Sequence, residues 1–532
     1  MNILNLSRTL GISEEYVIPY GWDKAKIDLK INEKLKDKPD GKLVLVTAIT
    51  PTKAGEGKTT TTIGLHDGMH RIGINSLACL REPSLGPVWG IKGGAVGALK
   101  STIVPSDDIN LHFTGDFHAL TSTINLIAAI IDNHIYQGNE LNIDPHHIVW
   151  TRALDINERS LRSVTVAQDD KKAIPHHSEF VITVASELMT IFCVAVDEDD
   201  FRRRVNKILV AYTYDNKPVY LGDFHVSDAI IKMMKTALNP NLVQTLEENP
   251  VLIHGGPFAN ISVGVNSINA TKLALKLAPV VITEAGFGGD LGAEKFLDIK
   301  CQLANLHPDC VVLVATVRAL KLHGGVKFEE LETENVEALK AGLCNLAQHA
   351  ENMKKFGIPV VITANRFPSD TPAELHAIED WCKENKYEFS INEAALLGSR
   401  GSEDLATKVN NILETKKSHY KPLYKFNKPI KEKIETICKE IYRADGVEYT
   451  EEALKQIEDY EKMGYNDLPV CISKTPNSFT DDAKILGAPR GFKIHIREVR
   501  LYAGAGLIVP LSGSLLLLPG LPKVPRAVDG HN

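Results

Sequence analysis

The segment KLVLVTAITPTKAGEGKTTTTIGLHDGM, from Lys42 to Met69, constrains the fold of this chain more than any other. An apolar, β-branched run from Leu43 to Ile49 predicts a buried strand, a turn containing glycine follows, and a helical pattern begins after Lys58. This order of strand, glycine turn, lysine, threonine and helix is typical of a phosphate-binding loop. In such a loop, backbone N–H groups and the positive end of the helix both face a bound anion.

The residue types in this loop suit the binding of a nucleotide triphosphate. Glycine lets the backbone approach phosphate oxygens, lysine adds a full positive charge, and a threonine hydroxyl can reach a phosphate-bound magnesium ion. The strict motif has glycine where this chain has Thr52, and an ordinary glycine turn is the alternative. The variant loop resembles that of chromosome-partition and division-site ATPases. We assign nucleotide binding to Thr52, Gly55, Glu56, Gly57, Lys58, Thr59 and Thr60, and magnesium binding to Thr59.

The composition is that of a soluble, multidomain protein. The 532 residues are too many for one hydrophobic core, and a net charge of −7 gives no reason to expect a nucleic-acid partner. Eight scattered cysteines without a CxxC pair favour reduced thiols in the cytosol. The uncharged stretch 501–522 is broken by glycine and proline, so we expect short buried strands there and no membrane span. We expect a cytoplasmic protein.

Strand and helix patterns alternate from Lys42 to about Val317, after a helical lead-in at 1–40. This alternation predicts an α/β fold with a P-loop-type, mostly parallel sheet flanked by helices. The candidate strands are 43–49, 76–80, 147–150, 180–183, 251–254, 280–283, 310–316 and 359–364. We expect a nucleotide-binding P-loop domain at 1–334 with an irregular insertion at about 155–215, a second α/β domain at 335–420, and a C-terminal α+β domain at 421–532.

A second motif, LREPSLGPVWGIKGG at 80–94, follows the candidate strand 76–80, which we expect to lie beside the strand of the phosphate loop. Ligands of open α/β sheets bind at the carboxyl ends of the strands. Arg81 therefore stands where its planar guanidinium could hold a carboxylate or phosphate through two hydrogen bonds. An ion pair with Glu82 is the alternative.

Three further segments contribute polar residues or glycines. NLHFTGDFHA contains Asp116, which could orient a substrate amine or serve as a base, with a hydrogen-bonded loop as the alternative. HGGPFANISVGVNS and TEAGFGGDLGAEKF each follow a candidate strand, and their glycines can bring backbone close to a ligand. Next to a phosphate loop, these segments favour a shared cleft.

Eight segments together resemble the formate–tetrahydrofolate ligase (formyltetrahydrofolate synthetase) family: TPTKAGEGKTTTTIGL, LREPSLGPVWGIKGG, INLHFTGDFHAL, HGGPFANIS, EAGFGGDLGAEKF, LVATVRALKLHGG, LPVCISKT and LPGLPKVP. The resemblance extends from YGWDKAKI to about Pro525. It implies an ATP-driven ligation in which formate attacks the γ-phosphate, giving formyl phosphate and ADP. The amine of tetrahydrofolate then takes the formyl group, releasing phosphate and 10-formyltetrahydrofolate.

The resemblance also implies roles for individual residues. Residues 56–60 would hold ATP and magnesium, Arg81 would hold formate and then the mixed anhydride, and Asp116 would lie near the acceptor amine. Phe367 matches the first of two aromatic residues that sandwich the pterin of tetrahydrofolate. The family is usually a homotetramer with a monovalent-cation preference, so we expect a homo-oligomer that acts on small molecules.

Several positions depart from the family pattern, mostly in the folate half. Ala395 stands where the second aromatic residue is expected, and stacking there stabilises by roughly 0.5–1.5 kcal/mol. Leu99 and Lys100 replace part of a glycine-rich run, so Leu99 would be strained if its φ is positive. Val181 replaces an aspartate in PHHSEFVITVASE, and Ser514 replaces another in GSLLLLPGLPK.

Four interpretations stay open. The chain is a ligase that binds folate loosely, a paralogue that passes an ATP-activated acid to a different acceptor, or a nucleotide-binding protein that has lost the reaction. A partition-type ATPase has a similar loop, but those proteins are far shorter and lack REPSLGP and EAGFGGDLGAEKF. The intact phosphate-loop residues and the extent of the resemblance favour the ligase.

Overall fold

The computed structural model describes residues 1–92, 94–513 and 515–529. Within them, a twelve-stranded sheet forms the centre of the molecule, and its middle strands run parallel. These strands are rich in valine, isoleucine and leucine because protein covers both of their faces, and the predicted α/β fold is confirmed. In spatial order they are Pro250–Ile253, Ser76–Leu80, Val280–Glu284, Lys42–Ala48, Cys310–Ala315, Val360–Asn365 and Glu388–Asn392.

Alternate side chains of the strand Lys42–Ala48 face two different hydrophobic cores. Val44 packs in a core with Leu65 of the helix Lys58–Arg71, whereas Leu43 packs in a larger core on the other face. This alternation follows from the two-residue period of a strand. The phosphate loop is therefore anchored by a strand that is buried on both sides.

Helices cover both faces of the central sheet. The longer helices of all the described residues are Lys58–Arg71, Asp116–Tyr136, Glu187–Val194, Glu198–Asn206, Ser227–Met234, Ile268–Leu277, Val336–Lys355, Pro372–Glu384, Glu403–Thr415, Ile430–Ile437 and Glu451–Lys462. Shorter ones are Ile3–Thr9, Asn32–Leu35, Leu85–Pro87, Ser106–Asn110, Cys301–Ala304, Val317–His323, Ala394–Leu397 and Arg526–Asp529. No helix in the described ranges combines the length and the apolarity that crossing a membrane requires.

The strand Ser76–Leu80 does not lie beside the strand of the phosphate loop, and that prediction is wrong. Val280–Glu284 lies between them, and its Val280 is opposite Lys42 on one side and Ser76 on the other. Parallel neighbours need crossover connections, which leave room for a later strand to insert. The carboxyl end of Val280–Glu284 consequently lies between the loop that follows Lys42–Ala48 and the loop that follows Ser76–Leu80.

The N-terminal region also differs from the helical lead-in that we expected. After the helix Ile3–Thr9, the chain adds the strands Val17–Pro19 and Ala25–Ile27 to the antiparallel edge of the sheet. Ala25–Ile27 pairs with Asn241–Thr245, a partner from far along the chain. The same edge also contains the strands Gly97–Ala98 and Ser101–Val104.

Small sheets form from strands of the predicted insertion at about 155–215 together with strands just before and after it. Their pairings are Ile143–Ile148 with Leu209–Thr213, Leu209–Thr213 with Pro218–Tyr220, Arg152–Leu154 with Phe180–Ile182, and Val164–Val166 with His176–Ser178. A small sheet in the C-terminal region contains Gly446–Tyr449, Lys493–Tyr502 and Leu507–Ser512, so the short strands expected near its end are confirmed. The three-domain division stays a prediction, since Val360–Asn365 belongs to the same sheet as the phosphate loop.

Candidate active site

The phosphate-loop residues form a turn that leads directly into a helix. Gly55 and Gly57 have φ values of 77° and 71°, a left-handed conformation that favours glycine. A Cβ at Gly57 would overlap the side-chain amide of Asn365. Lys58 is the first residue of the helix Lys58–Arg71, so its charge stands at the positive end of that helix.

Thr52, which replaces a glycine of the strict motif, closes the loop by binding Glu56. The buried Glu56 carboxylate accepts hydrogen bonds from the Thr52 backbone N–H at 2.6 Å and from the Thr52 hydroxyl at 2.8 Å. The Thr316 hydroxyl also donates to this carboxylate. Glu56 thus fixes the conformation of the loop, and protein donors occupy its oxygens.

Lys58 and Arg81 both lie within the electrostatic influence of Glu284. Thr59 Oγ1 donates a hydrogen bond to Glu284 Oε2 at 2.9 Å. Burial lowers the pKa of Lys58 to about 8. The Glu284 charge opposes that shift, and the nearby charges of Lys92 and Arg81 add to it. Burial also lowers the pKa of Arg81, again against the influence of Glu284. Both cations that the sequence singles out therefore lie near the Glu284 carboxylate.

Arg81 is held by backbone and not by an acid. Its Nη1 donates to the Pro257 carbonyl at 3.1 Å, and among the described residues its buried Nε has no hydrogen-bond partner and its guanidinium no ion pair. The alternative pairing with Glu82 is therefore not observed. A Cβ at Gly286 would lie 2.8 Å from Arg81 Nη1, so the glycine leaves room for the guanidinium. The free N–H groups suit a carboxylate or phosphate.

Asp116 forms a buried ion pair at the start of the helix Asp116–Tyr136. Its Oδ1 lies 2.8 Å from Lys26 Nζ, and its Oδ2 accepts a hydrogen bond from Asn241 Nδ2 at 2.8 Å. Burial and the Asp116 charge raise the pKa of the neighbouring Glu82 well above its usual range. Burial and the neighbouring carboxylate therefore both favour the protonated form of Glu82.

Phe367 is half-buried, and an arginine covers part of its ring. The Arg318 guanidinium lies 3.9 Å from the ring centre, which is a cation–π arrangement. Arg318 also donates to the Gly55 carbonyl in the phosphate loop. Sequence reasoning missed Arg318, although its place just after the strand Cys310–Ala315, at the carboxyl edge of the sheet, is a position where ligand-binding residues occur.

Three departures from the family pattern lie together. The Lys100 backbone N–H donates to the Ala395 carbonyl at 3.0 Å, which holds the turn containing Leu99 against this segment. Leu99 has a φ of 50°, so the strain predicted for it is confirmed. Its side chain is exposed. One region of the surface thus combines the missing aromatic side chain with a strained turn.

Val181 lies in a different place. It is buried in the strand Phe180–Ile182 and lines a cavity between the insertion and the C-terminal region, which none of the phosphate-loop residues lines. Ser514 lies outside the described residues.

Residues of two other quoted motifs pair inside the protein. Asp290 of EAGFGGDLGAEKF lies 2.9 Å from Lys474 of LPVCISKT, and both side chains are fully buried. Lys295 Nζ donates to the Ser262 carbonyl at 2.9 Å. These contacts join segments of the chain that are distant in sequence, so the motif residues involved have a structural role.

Comparison with protein families agrees with the quoted motifs. A family model described as formate--tetrahydrofolate ligase matches residues 1–530, which is essentially the whole chain. The chain therefore belongs to the formate–tetrahydrofolate ligase family, whose members join formate to tetrahydrofolate.

Proposed function

We propose that this protein uses ATP to ligate formate to tetrahydrofolate through formyl phosphate, giving 10-formyltetrahydrofolate, ADP and phosphate. Membership of the family supports the ligation of formate to tetrahydrofolate. The observation that supports the ATP-dependent route is that Lys58 and Arg81 both lie near Glu284. Lys58 is the first residue of the helix Lys58–Arg71, and the next residue, Thr59, donates a hydrogen bond to Glu284. A triphosphate and formate could react there within a single pocket.

The pocket has an excess of positive charge that bound anions would balance. Lys58, Arg81 and Lys92 are three cations, and the carboxylates whose charges act on them are Glu284 and, for Lys58, also Glu56. Loss of hydration and the nearby Arg81 charge both lower the pKa of Lys92, a residue that sequence reasoning did not single out. Phosphoryl transfer depends mainly on positioning and on neutralising phosphate charge. These cations therefore suit a triphosphate together with formate.

Thr59 and Glu284 would hold the magnesium ion of the nucleotide. Their oxygens lie 2.9 Å apart, and oxygen atoms are the ligands that magnesium prefers. The described residues contain no group of three or more His, Cys, Asp or Glu side chains placed to hold a metal ion. When bound, magnesium would neutralise charge on the phosphate oxygens.

Arg81 would orient formate for the first step. A formate oxygen attacks the γ-phosphorus, and the bond between that phosphorus and the ADP oxygen breaks. The remaining guanidinium N–H groups of Arg81 can then hold formyl phosphate. Because this anhydride hydrolyses readily, the buried position of Arg81 Nε supports a pocket that excludes water.

Asp116 and Glu82 would act in the second step. The amine of tetrahydrofolate attacks the formyl carbon, the bond from that carbon to the phosphate oxygen breaks, and the departing phosphate takes up the proton that the amine loses. Lys26 and Asn241 fix the Asp116 carboxylate, which favours a role in orienting the amine. Burial and the Asp116 charge raise the pKa of Glu82 and so favour its protonated form, which can donate a hydrogen bond.

One specific observation favours a second candidate function. Ala395, Leu99 and Lys100 depart from the family pattern at one place, and Phe367 already has Arg318 against its ring. A site with one aromatic wall would bind pterin weakly. The alternative is therefore a diverged paralogue that passes the activated formyl group to another acceptor, or that binds only nucleotide.

One assay separates these possibilities. Purified protein receives ATP, magnesium, formate and tetrahydrofolate, and both 10-formyltetrahydrofolate and ADP are followed. Formation of both products supports the ligase. ADP release that depends on formate but yields no formyltetrahydrofolate supports a different acceptor. An absence of nucleotide turnover under every condition would leave only nucleotide binding.

Quaternary structure and ion dependence belong to the same proposal. By analogy with the family, we propose a cytoplasmic homotetramer with a monovalent-cation preference. Light scattering would give the oligomeric state, and replacing potassium by a large organic cation in the ligase assay would test the ion preference.

A further inference from the structure

A second cavity, separate from the pocket of Lys58, lies between the insertion and the C-terminal region. Its volume is about 840 Å³, within the range of small-molecule sites. The insertion and the segment just before it contribute residues of the strands Phe180–Ile182 and Ile143–Ile148 to its walls. The C-terminal region contributes residues of the helix Glu451–Lys462 and the strand Lys493–Tyr502. None of its lining residues belongs to the phosphate loop or to LREPSLGP.

Aromatic side chains form much of the lining, and internal hydrogen bonds satisfy the polar ends of two of them. Trp150 Nε1 donates to the Ile124 carbonyl at 3.0 Å, and the Tyr460 hydroxyl donates to the Val499 carbonyl at 3.0 Å. Tyr212 adds a third ring. His147 already stacks on Tyr212, with 4.4 Å between the ring centres, so a flat ligand ring can stack only on the ring faces that remain uncovered.

One carboxyl group in the lining is set up to donate a hydrogen bond. Glu187 Oε1 accepts hydrogen bonds from the backbone N–H groups of Gly504 at 2.8 Å and Ala505 at 3.1 Å. Burial raises the pKa of Glu187 to about 8, so the group is mostly protonated at neutral pH. The second oxygen can therefore carry the proton and offer it to an acceptor atom on a ligand.

Acidic and basic side chains line the cavity in similar numbers, so the wall has no large net charge that would select an ionic ligand; they are Glu179, Glu452, Asp459, Glu498, Lys455, Lys462 and Arg500. Arg500 is paired with Glu498 at 2.7 Å, so its charge is not free to bind an acid. Val181 places an apolar side chain in the wall where the family pattern has an aspartate, which removes a carboxylate that could have bound a cation. Burying an unpaired charged group against such a wall would be costly.

We propose that this cavity binds a neutral, flat heteroaromatic molecule, which stacks on the aromatic walls and accepts a hydrogen bond from Glu187. This ligand would be additional to the substrates of the ligase reaction. Its site is formed by the insertion and the C-terminal region, both of which lie outside the phosphate-binding part of the chain.

Coumarin is a suitable probe because it is neutral and flat and its lactone carbonyl accepts a hydrogen bond. Saturation-transfer NMR and calorimetric titration with the full chain should show saturable binding. Val181→Phe, which fills the cavity, and Tyr212→Leu, at a partly exposed position, should each weaken binding at least tenfold. Glu187→Gln keeps both an acceptor and a donor and should change affinity less than threefold.

Phe367→Ala serves as the matched control outside the cavity, and it should bind coumarin like the unaltered protein. Thermal unfolding identifies any variant that has lost its fold; Tyr212→Leu then decides the question if Val181→Phe does not fold. The proposal is overturned if the unaltered protein shows no saturable binding. It is equally overturned if Phe367→Ala abolishes binding while the two cavity variants retain it.

Discussion

Lys58 is less hydrated than a surface lysine, and a bound phosphate would replace the water that it has lost. We expect Lys58→Ala to weaken ATP binding by about one to two orders of magnitude, since a hydrogen bond to a charged group contributes about 1.5–3 kcal/mol. Calorimetric titration with ATP measures this change. Lys53→Ala, an exposed lysine of the same loop, should have a much smaller effect. Equal losses in the two variants would contradict the assignment of Lys58.

The lowered pKa of Lys58 predicts opposite effects of pH on folding and on nucleotide binding. The unfolded chain has a lysine pKa of 10.5, and the folded protein lowers it to about 8. Between these values the unfolded state binds more protons, so the free energy of unfolding of the ligand-free protein should rise with pH. ATP affinity should fall over the same range because the charged amine is lost.

Urea denaturation and ATP titration at pH values of about 7.5 and about 9.5 test this prediction. Lys58→Met, which cannot titrate, is the control. In Lys58→Met, the contribution of Lys58 to the pH dependence of unfolding and of ATP affinity should be absent. Unchanged pH dependence in this variant would show that other groups are responsible.

Because Ala395 has no aromatic side chain, we expect weak binding of tetrahydrofolate, which a single substitution at this position should tighten. Ala395→Trp would restore a second aromatic face and tighten tetrahydrofolate binding by roughly 0.5–1.5 kcal/mol, which is up to about tenfold in Kd. Fluorescence titration with tetrahydrofolate measures the change. Leu396→Trp, at the exposed neighbouring position, should not tighten binding. No effect at Ala395 would mean that this residue does not line the acceptor pocket.

The roles of the loop residues and of Arg81 stay predictions. Local sequence pattern was sufficient to predict the strand, the glycine turn and the helix around Lys58, because these are local signals. It was not sufficient for Glu284, Lys92 and Arg318. Their importance depends on tertiary contacts: Glu284 with Thr59, Lys92 with Arg81, and Arg318 with Phe367. The partner of Asp116, Lys26, comes from a strand that we expected to be helical.

At the level of elements, the positions of strands were predictable but their order was not. The strand Ser76–Leu80 was predicted with its observed bounds, because apolar runs between turns are local signals. The insertion of Val280–Glu284 beside it depends on pairing between segments far apart in the chain. The same limitation hid the pairing of Ala25–Ile27 with Asn241–Thr245.

The turn after the strand Pro250–Ile253 supports Arg81 and has no room for larger residues. A Cβ at Gly256 would overlap the Glu82 carbonyl and lie 2.7 Å from Phe117 Cζ. We expect Gly256→Ala to destabilise the protein by about 1–3 kcal/mol. It should also raise the KM for formate, since Pro257 holds the guanidinium.

Chemical denaturation and formate kinetics measure the two effects of Gly256→Ala. Gly446→Ala is the matched control, because a Cβ there meets no atom within 4 Å. A variant at Gly256 with unchanged formate KM would show that the turn does not position Arg81.

In the molecule as a whole, the buried pair of Asp290 and Lys474 joins the central sheet region to the C-terminal region. Removing one partner would leave an uncompensated buried charge, so Lys474→Met should destabilise the protein by about 3–5 kcal/mol. The double variant Asp290→Leu with Lys474→Met should recover much of this loss. Guanidinium denaturation measures all three proteins.

The exposed pair of Lys493 and Glu448 provides the comparison, since both side chains are about half-exposed. Lys493→Met should cost less than about 1 kcal/mol. Similar losses for the buried and the exposed pair would mean that the buried pair contributes no more than a surface contact.

The strand Val280–Glu284 lies between Lys42–Ala48 and Ser76–Leu80, and this position limits which insertions and deletions the chain can tolerate. Side chains of a strand alternate between faces, so a shift in pairing by one residue would turn the Glu284 carboxylate away from Thr59. The same shift would separate it from Arg81. We therefore expect an insertion or deletion of one residue in this strand to disturb the proposed nucleotide and formate sites together, while leaving both loops themselves intact.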